Sequence, residues 1–488
     1  MLGFSVNRSS EPSLVVSVIP IAVLLSALVS VIIIAGADSV QDYSYYMLLA
    51  ASAVGLVIGS GYSRFRRCLL PGIVKSARQI LPAVPILVFI GTLSATWTLS
   101  GVVPALINYG LVLLNPEMFL FIACVSCAAI SVVTGSSWTT IATIGVALMG
   151  VGTVMGYSPG WVAGAVISGA YFGDKVSPLS DTTVLAASTC GVPLLRHIRY
   201  LMLTSLPAMA VALGVYAAVG LTYDLTALSH STEMISALQN TFNISGWVLV
   251  IPALTMTLIA FRVPTLWTLA VGSVAGLVGI WVFQPQIFTS LCDGCDGWTG
   301  LLMTNIRILV SSTSVSTGSQ LLDPLVSTGG VEGMLPTIYL VLSAMVFGGV
   351  MIGTGMLGVI TRAITSRIRR VRRLIGATVG SGLFLNCCTG DQYLSIIIGA
   401  NVYKNTYRRA GIRPQTLSRT LEDSISVTSV LIPWNSCGVT QSTVLGVATL
   451  SYMPFCLFNI MSPVMTLVMA WSGWRIHHSQ PRAAASRR

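Results

Sequence analysis

Charge is what this chain has least of. Only 8% of its 488 residues are charged and 54% are hydrophobic, whereas soluble globular domains carry about 25% charged residues. That shortage excludes a soluble globular protein. The four histidines (His197, His230, His477 and His478) are too scattered to form a ligand or catalytic set. There is no Walker motif and no stretch polar enough for a soluble domain, so a nucleotide-driven design is excluded and any energy must come from an ion gradient. No enzyme activity and no cofactor are expected. The ten cysteines are scattered, mostly in apolar segments where they act as small hydrophobes. Cys292 and Cys295 have ligand-like spacing in a loop expected outside. A lone CxxC is a weak metal signal, since zinc takes four ligands; a local disulfide is the better expectation of the two, and no function stands ahead of both. The net charge of +11 comes from basic residues in short loops, which is the positive-inside pattern and not a nucleic-acid stripe.

What is present is a series of apolar stretches of roughly 20 residues, each long enough to cross a bilayer. The first, 14–36, is too long for a removable leader and reads as a retained span. Two polar strings interrupt the most apolar parts, and each occurs twice. Thr134-Gly135-Ser136-Ser137-Trp138 is followed by Gly173-Asp174-Lys175-Val176-Ser177-Pro178-Leu179-Ser180-Asp181-Thr182-Thr183. Thr389-Gly390-Asp391-Gln392-Tyr393 is followed by Leu421-Glu422-Asp423, running on to Pro433-Trp434-Asn435-Ser436. Glycines, hydroxyls and carboxylates in matched positions of two hydrophobic halves indicate broken helices around a midplane site, the layout of secondary transporters.

Basic loops set the expected orientation: 64–78 (Arg64, Arg66, Arg67, Lys75, Arg78), Arg196 with Arg199, 367–373, 404–419 and the arginine-rich tail face the cytoplasm. Loops carrying Asp38 and Asp42, Asp224 and Glu233, Asp293 and Asp296, and Asp323 and Glu332 fall outside. The fold expected is an all-α polytopic membrane protein of about ten spans plus two re-entrant hairpins, arranged as an inverted-topology repeat with broken helices. Residues 1–13 form a cytoplasmic N-terminus. The first repeat, 14–231, holds scaffold helices, a hairpin at 118–155 and a broken helix at 161–189. The second, 232–474, holds scaffold helices, a hairpin at 374–403 and a broken helix at 415–437. Residues 475–488 form a basic cytoplasmic tail. A single bent span is expected at 80–114, unbroken spans at 14–36, 46–62, 247–261 and 265–282, and further spans at 335–360 and 444–471.

Of 15 acidic residues, five (Asp174, Asp181, Asp391, Glu422, Asp423) fall in the repeated strings. An ionisable group at depth costs a few kcal/mol or more, so it needs a partner, a water-filled cavity or a proton. Asp174 and Asp181 flank the Ser177-Pro178 break, whose freed carbonyls, with Ser177 and Thr182, supply oxygen ligands suited to a hard cation. The blander reading pairs Asp174 with Lys175 and makes Asp181 an N-cap. Asp391 is likewise either a cap or a coordinating tip. Its counterpart in the first copy is Ser136, so one hairpin carries the hydroxyls of Ser136 and Ser137 and the other a carboxylate beside Thr389. Asp423 is either a transport residue or a partner of Arg419, and Asn435 either joins the site or caps a helix. A Na⁺ site would draw on Asp181, Asp391 and Ser137.

These strings, with Tyr171-Phe172-Gly173-Asp174 and Ile432-Pro433-Trp434-Asn435-Ser436-Cys437-Gly438, resemble the NhaC family of Na⁺/H⁺ antiporters over nearly the whole chain. The resemblance implies a multi-pass protein of the bacterial inner membrane with both termini cytoplasmic, surrounded by lipid, exchanging Na⁺ and H⁺. Superfamily relatives suggest a homodimer with an elevator-like moving domain. Some relatives couple Na⁺ or H⁺ to malate, lactate or amino acids, and that organic-solute exchange is the alternative. An intramembrane aspartyl protease is disfavoured, because Tyr171 stands where its Gly-x-Gly-Asp signature needs the first glycine.

Overall fold

The computed structural model describes residues 12–36, 39–62, 65–81, 83–222, 231–261, 263–292, 298–319, 322–323, 326–365 and 370–473. Nearly all of the expected terminal segments lie outside these residues, as do Asp38, Arg64, Asp224, Asp293, Cys295, Asp296, Arg367 and Arg369. Helix is the only regular secondary structure among the described residues, whose one pairing of extended backbone is an isolated antiparallel bridge between Thr313 and Thr328. Among the described residues seven helices are long and apolar enough to cross a membrane, or up to ten when bent pairs count as one span.

Several expected elements take a different shape. The basic segment read as a loop is mostly a helix, Phe65–Ile80, packed along Leu335–Gly353. Its basic residues flank an apolar centre at 69–74, which supports a helix where charge alone suggested a loop. The span at 80–114 is bent as expected, Val84–Leu99 meeting Val102–Leu113 at 65°. Ile235–Thr241 meets Gly246–Ala260 at 87°, and Thr449–Phe455 meets Leu457–Ser472 at 56°. The span expected at 335–360 stops at Gly353 and restarts as Met356–Thr365. The Gly353–Gly358 junction spells Gly-x-Gly-x-x-Gly, yet no strand precedes it, so it has no dinucleotide-binding context.

The first hairpin is Phe119–Thr134 followed by a continuous helical arm from Ser137 to Val154, π-helical over Ile141–Gly145. With its leading turn, the first arm spans 19 residues and the second 18, so length alone would let either cross. Phe119–Thr134 packs against Pro159–Val176 more extensively than any other helix does. The contact needs glycine: a Cβ on Gly169 would stand 2.1 Å from the Cys124 carbonyl oxygen, and one on Gly173 would stand 2.4 Å from that of Ala128. Small residues let helix backbones meet where lipid offers no hydrophobic drive for association. Cys124 and Cys127, a second Cys-x-x-Cys, are buried free thiols in this interface.

The second hairpin pairs Val371–Thr389 with Gln392–Arg409. Each hairpin is followed by an interrupted helix. Pro159–Val176 restarts as Asp181–Cys190, with the break at 177–180. Pro414–Leu421 passes into a π-helical turn, Glu422–Ser426, and the helical run breaks only at a turn over 432–435 before Ser436–Leu445. Asp423 therefore sits on continuous helix, well before the break.

Candidate functional site

The two hairpin tips are built alike. Thr134 and Thr389 end the first arms, and Gly135 and Gly390 turn the chain at φ 67° and 64°, the left-handed region that favours glycine. Ser136 and Asp391 then cap the second arms. Thr134 Oγ1 accepts from the Ser136 N–H at 3.2 Å, and Thr389 Oγ1 from the Asp391 N–H at 3.3 Å. Each tip rests on the break of its own repeat. A Cβ on Gly135 would lie 2.6 Å from Leu179 Cβ; the Ser436 N–H donates to the Gly390 carbonyl at 2.8 Å.

Between the tips lies a cavity of about 350 Å³, lined by Ser136, Ser137, Asp174, Asp181, Thr182 and Asp391 among the residues singled out from the sequence. Ser137 donates to Asp174 Oδ2 from both its N–H (3.2 Å) and its hydroxyl (2.7 Å). Asp391 accepts from the Leu394 N–H through Oδ1 at 2.8 Å and from the Ser436 hydroxyl through Oδ2 at 3.4 Å. It is both a cap and a wall of the cavity, so the two readings of Asp391 describe one residue. At the first break the cap is Ser180, whose Oγ accepts from the Thr183 N–H at 3.4 Å. Asp181 follows it, exposed on the cavity wall.

Four of the expected residues lie off the cavity wall. Ser177 donates to the Val132 carbonyl at 2.8 Å and pins the break to the first hairpin. Thr389 bonds within its own tip, to the Asp391 carbonyl at 2.9 Å and to Ser395 at 2.7 Å. Asn435 caps Ser436–Leu445, accepting from the Cys437 N–H at 3.1 Å, and donates to the Asn386 carbonyl at 3.3 Å. Asp423 is fully buried in a separate charged centre, paired with Lys175. Lys175 thus turns away from Asp174, its neighbour in sequence.

The wall also holds Thr134, Trp138, Gln392, Tyr393 and Ser436, which the sequence reading passed over as ligands. Ser436 carried a usable signal: it begins the helix after the second break, as Asp181 does after the first. Trp138 and Tyr393 carried none, because an aromatic residue in an apolar helix is ordinarily packing.

Among the described residues the wall bears three carboxylates and no lysine, arginine or histidine. Helix N-termini by themselves attract anions, but the amides here are engaged. Ser136 Oγ accepts from the Thr139 N–H at 3.2 Å, while Asp174 and Asp391 take those of Ser137 and Leu394. Carboxylates at these positions also offset the positive ends of the helix dipoles. The arrangement therefore suits a cation more than an anion. Among the described residues no three His, Cys, Asp or Glu side chains are grouped closely enough to hold one metal ion. The three carboxylates share a cavity without closing into a single ligand shell.

A polytopic helical protein with paired hairpin tips and interrupted helices around a carboxylate-lined cavity has the build of a membrane transporter. The chain belongs to the Na⁺/H⁺ antiporter family, whose profile matches residues 9–189 and 169–474. It is 34% identical over 436 residues to the Na⁺/H⁺ antiporter NhaC of Alkalihalophilus pseudofirmus, covering 89% of this chain and 91% of that protein. It is 32% identical over 425 residues to a malate-2H⁺/Na⁺-lactate antiporter of Bacillus subtilis, covering 87% of each chain. An arginine/ornithine antiporter of Halobacterium salinarum is 31% identical over 482 residues, covering 97% of this chain and 95% of that protein.

Proposed function

We propose that the protein exchanges cytoplasmic Na⁺ for external H⁺ across a bacterial inner membrane by alternating access, with the cavity between the hairpin tips as its cation site. The observation that carries this reading is the wall itself: Asp174, Asp181 and Asp391 with no basic residue among the described lining. Asp181 and Asp391, with the Ser137 hydroxyl, are the groups assigned to Na⁺. Lys175, the cation that could have anchored an organic anion, is bound to Asp423 instead. The moving part would be 118–189 with 374–437. The spans at 14–36, 46–62, 247–261 and 265–282 would form the scaffold and a homodimer surface.

A second reading, exchange of an organic anion or amino acid, draws on the cavity's size. About 350 Å³ exceeds several-fold the ~30 Å³ share of a water molecule, and relatives named for malate, lactate, arginine and ornithine exchange are as similar as some named for Na⁺. Purified protein in proteoliposomes with a trapped pH dye separates the two. A Na⁺ pulse should move the internal pH on the cation reading. A pH change that needs malate or arginine, with none on Na⁺ alone, would replace it with the organic-solute reading.

A further inference from the structure

A second polar centre lies behind the cavity wall, in the π-helical turn Glu422–Ser426. Such turns recur at functional positions in helices. Its charged residues are Lys175, Arg419, Glu422 and Asp423, all buried. Asp423 is well supplied with donors. Lys175 Nζ and the Thr466 hydroxyl donate to it, as do the Ser462 hydroxyl at 2.9 Å and the Thr204 hydroxyl at 3.2 Å, and Arg419 Nε stands 3.9 Å away. Glu422 differs. Its Oε1 has one long contact, from the Thr183 hydroxyl at 3.5 Å; the Ser426 and Thr182 hydroxyls also stand near the carboxyl, but Oε2, fully buried, makes no well-formed hydrogen bond. A buried carboxylate so poorly supplied with donors is unfavourable by several kcal/mol, and such a group takes up a proton instead.

We propose that Glu422 is a proton-binding site of the exchanger, separate from the cation cavity. Two features make the site reversible and not merely neutral. Arg419 lies three residues away on the same helix, fully buried, its Nε 3.9 Å from Asp423 and its Nη2 without a hydrogen-bond partner; Lys175 acts on Glu422 from the other side. When the proton leaves the Glu422 carboxyl, two buried cations remain to balance its charge alongside Asp423. The other ionisable groups facing the centre are Asp174, which acts on Glu422 from the cavity side, His197, whose Nδ1 bonds the Ser418 hydroxyl at 2.9 Å, and Tyr403, Tyr407 and Cys190 from the packed helices. One layer of chain separates Glu422 from the cavity: Asp174 and Thr182 line the wall, and the next residues, Lys175 and Thr183, meet Glu422 and its neighbour. A proton bound there would sense the cavity's occupancy through charge without competing for the same oxygens.

This rests on the Na⁺/H⁺ reading, and the test separates the two. Full-length protein is reconstituted, and both ²²Na⁺/Na⁺ self-exchange and Na⁺-driven proton movement are measured between pH 6 and pH 9. Glu422→Gln should lower the protons moved per Na⁺ at least tenfold while self-exchange continues. A Glu422→Gln protein that keeps the native proton yield and pH profile overturns the proposal. If Glu422→Gln loses both activities, Glu422→Asp decides: recovered exchange with a displaced pH profile supports a proton site, and no recovery, or recovery with the native profile, overturns it. A wild-type protein with neither activity would instead refute the Na⁺/H⁺ reading itself.

Discussion

The cavity and the buried charged centre part at consecutive residues, Asp174 and Lys175, and they treat charge in opposite ways. Neighbouring side chains on an α-helix point about 100° apart. Asp174 therefore reaches Ser137 at the first hairpin tip while Lys175 reaches Asp423 of the second repeat. The cavity gathers carboxylates and leaves their balance to whatever enters; the buried centre holds its own cations. One helix end thus carries an open, carboxylate-lined cavity on one face and a closed, self-compensated centre on the other. Motif spacing alone would have merged the two.

The largest effects should come from removing charge at the open site. Asp391→Asn and Asp181→Asn should each slow Na⁺-driven proton movement about 100-fold or more, the size expected when a hydrogen bond or ligand contact to a charged group worth ~3 kcal/mol is lost. Near-native exchange in both variants would erase the contrast. At the closed site the expected loss is in stability first. Lys175→Ala leaves Asp423 without its main counter-ion and should reduce stability by about 3–5 kcal/mol, while a Lys175→Met, Asp423→Leu double variant should regain much of that. Detergent-solubilised thermal unfolding read by size-exclusion would show it. Equal Tm values for Lys175→Ala and wild type would mean the pair is not the anchor described.

A smaller effect probes the helix that carries both sites. Gly169→Ala places a Cβ against the Cys124 carbonyl, and overpacking of this kind typically costs 1–3 kcal/mol. The same change at Gly214, where a Cβ would meet nothing within 4 Å, should be near neutral. Ser136→Ala removes only a cap, worth about 1 kcal/mol. The smallest change is expected at Asp323, outside the spans. There the Thr317 N–H and hydroxyl hold its carboxyl below the usual range. That contribution is complete at neutral pH and is lost as pH falls through the lowered folded value. Limited proteolysis at 311–328 should therefore rise at low pH in wild type and already be raised at pH 7 in Asp323→Asn.

Much of the architecture was legible because hydrophobic length and doubled polar strings are local signals. The tips, with Gly135 and Gly390 at their turns, and the break before Asp181 follow directly from glycine, proline and cap chemistry. The bend at 455–457 and the helix at Phe65–Ile80 were not legible; they depend on what packs alongside. At the candidate site the carboxylates on the tips could be read, whereas the destination of Lys175 could not. Its partner lies 248 residues away, and no spacing rule reaches that far. Asp423 and Asp181 both stand in the repeated polar strings; what distinguishes them is that four side chains donate to one, while the other stands exposed on the cavity wall.

The most direct measurement of the central claim is ²²Na⁺ binding to the purified, detergent-solubilised protein. Saturable binding should be present in wild type, lost in both Asp181→Asn and Asp391→Asn, and insensitive to added malate. Binding retained in both variants, or malate binding in the absence of Na⁺, would contradict a carboxylate-lined cation site shared by the two hairpin tips.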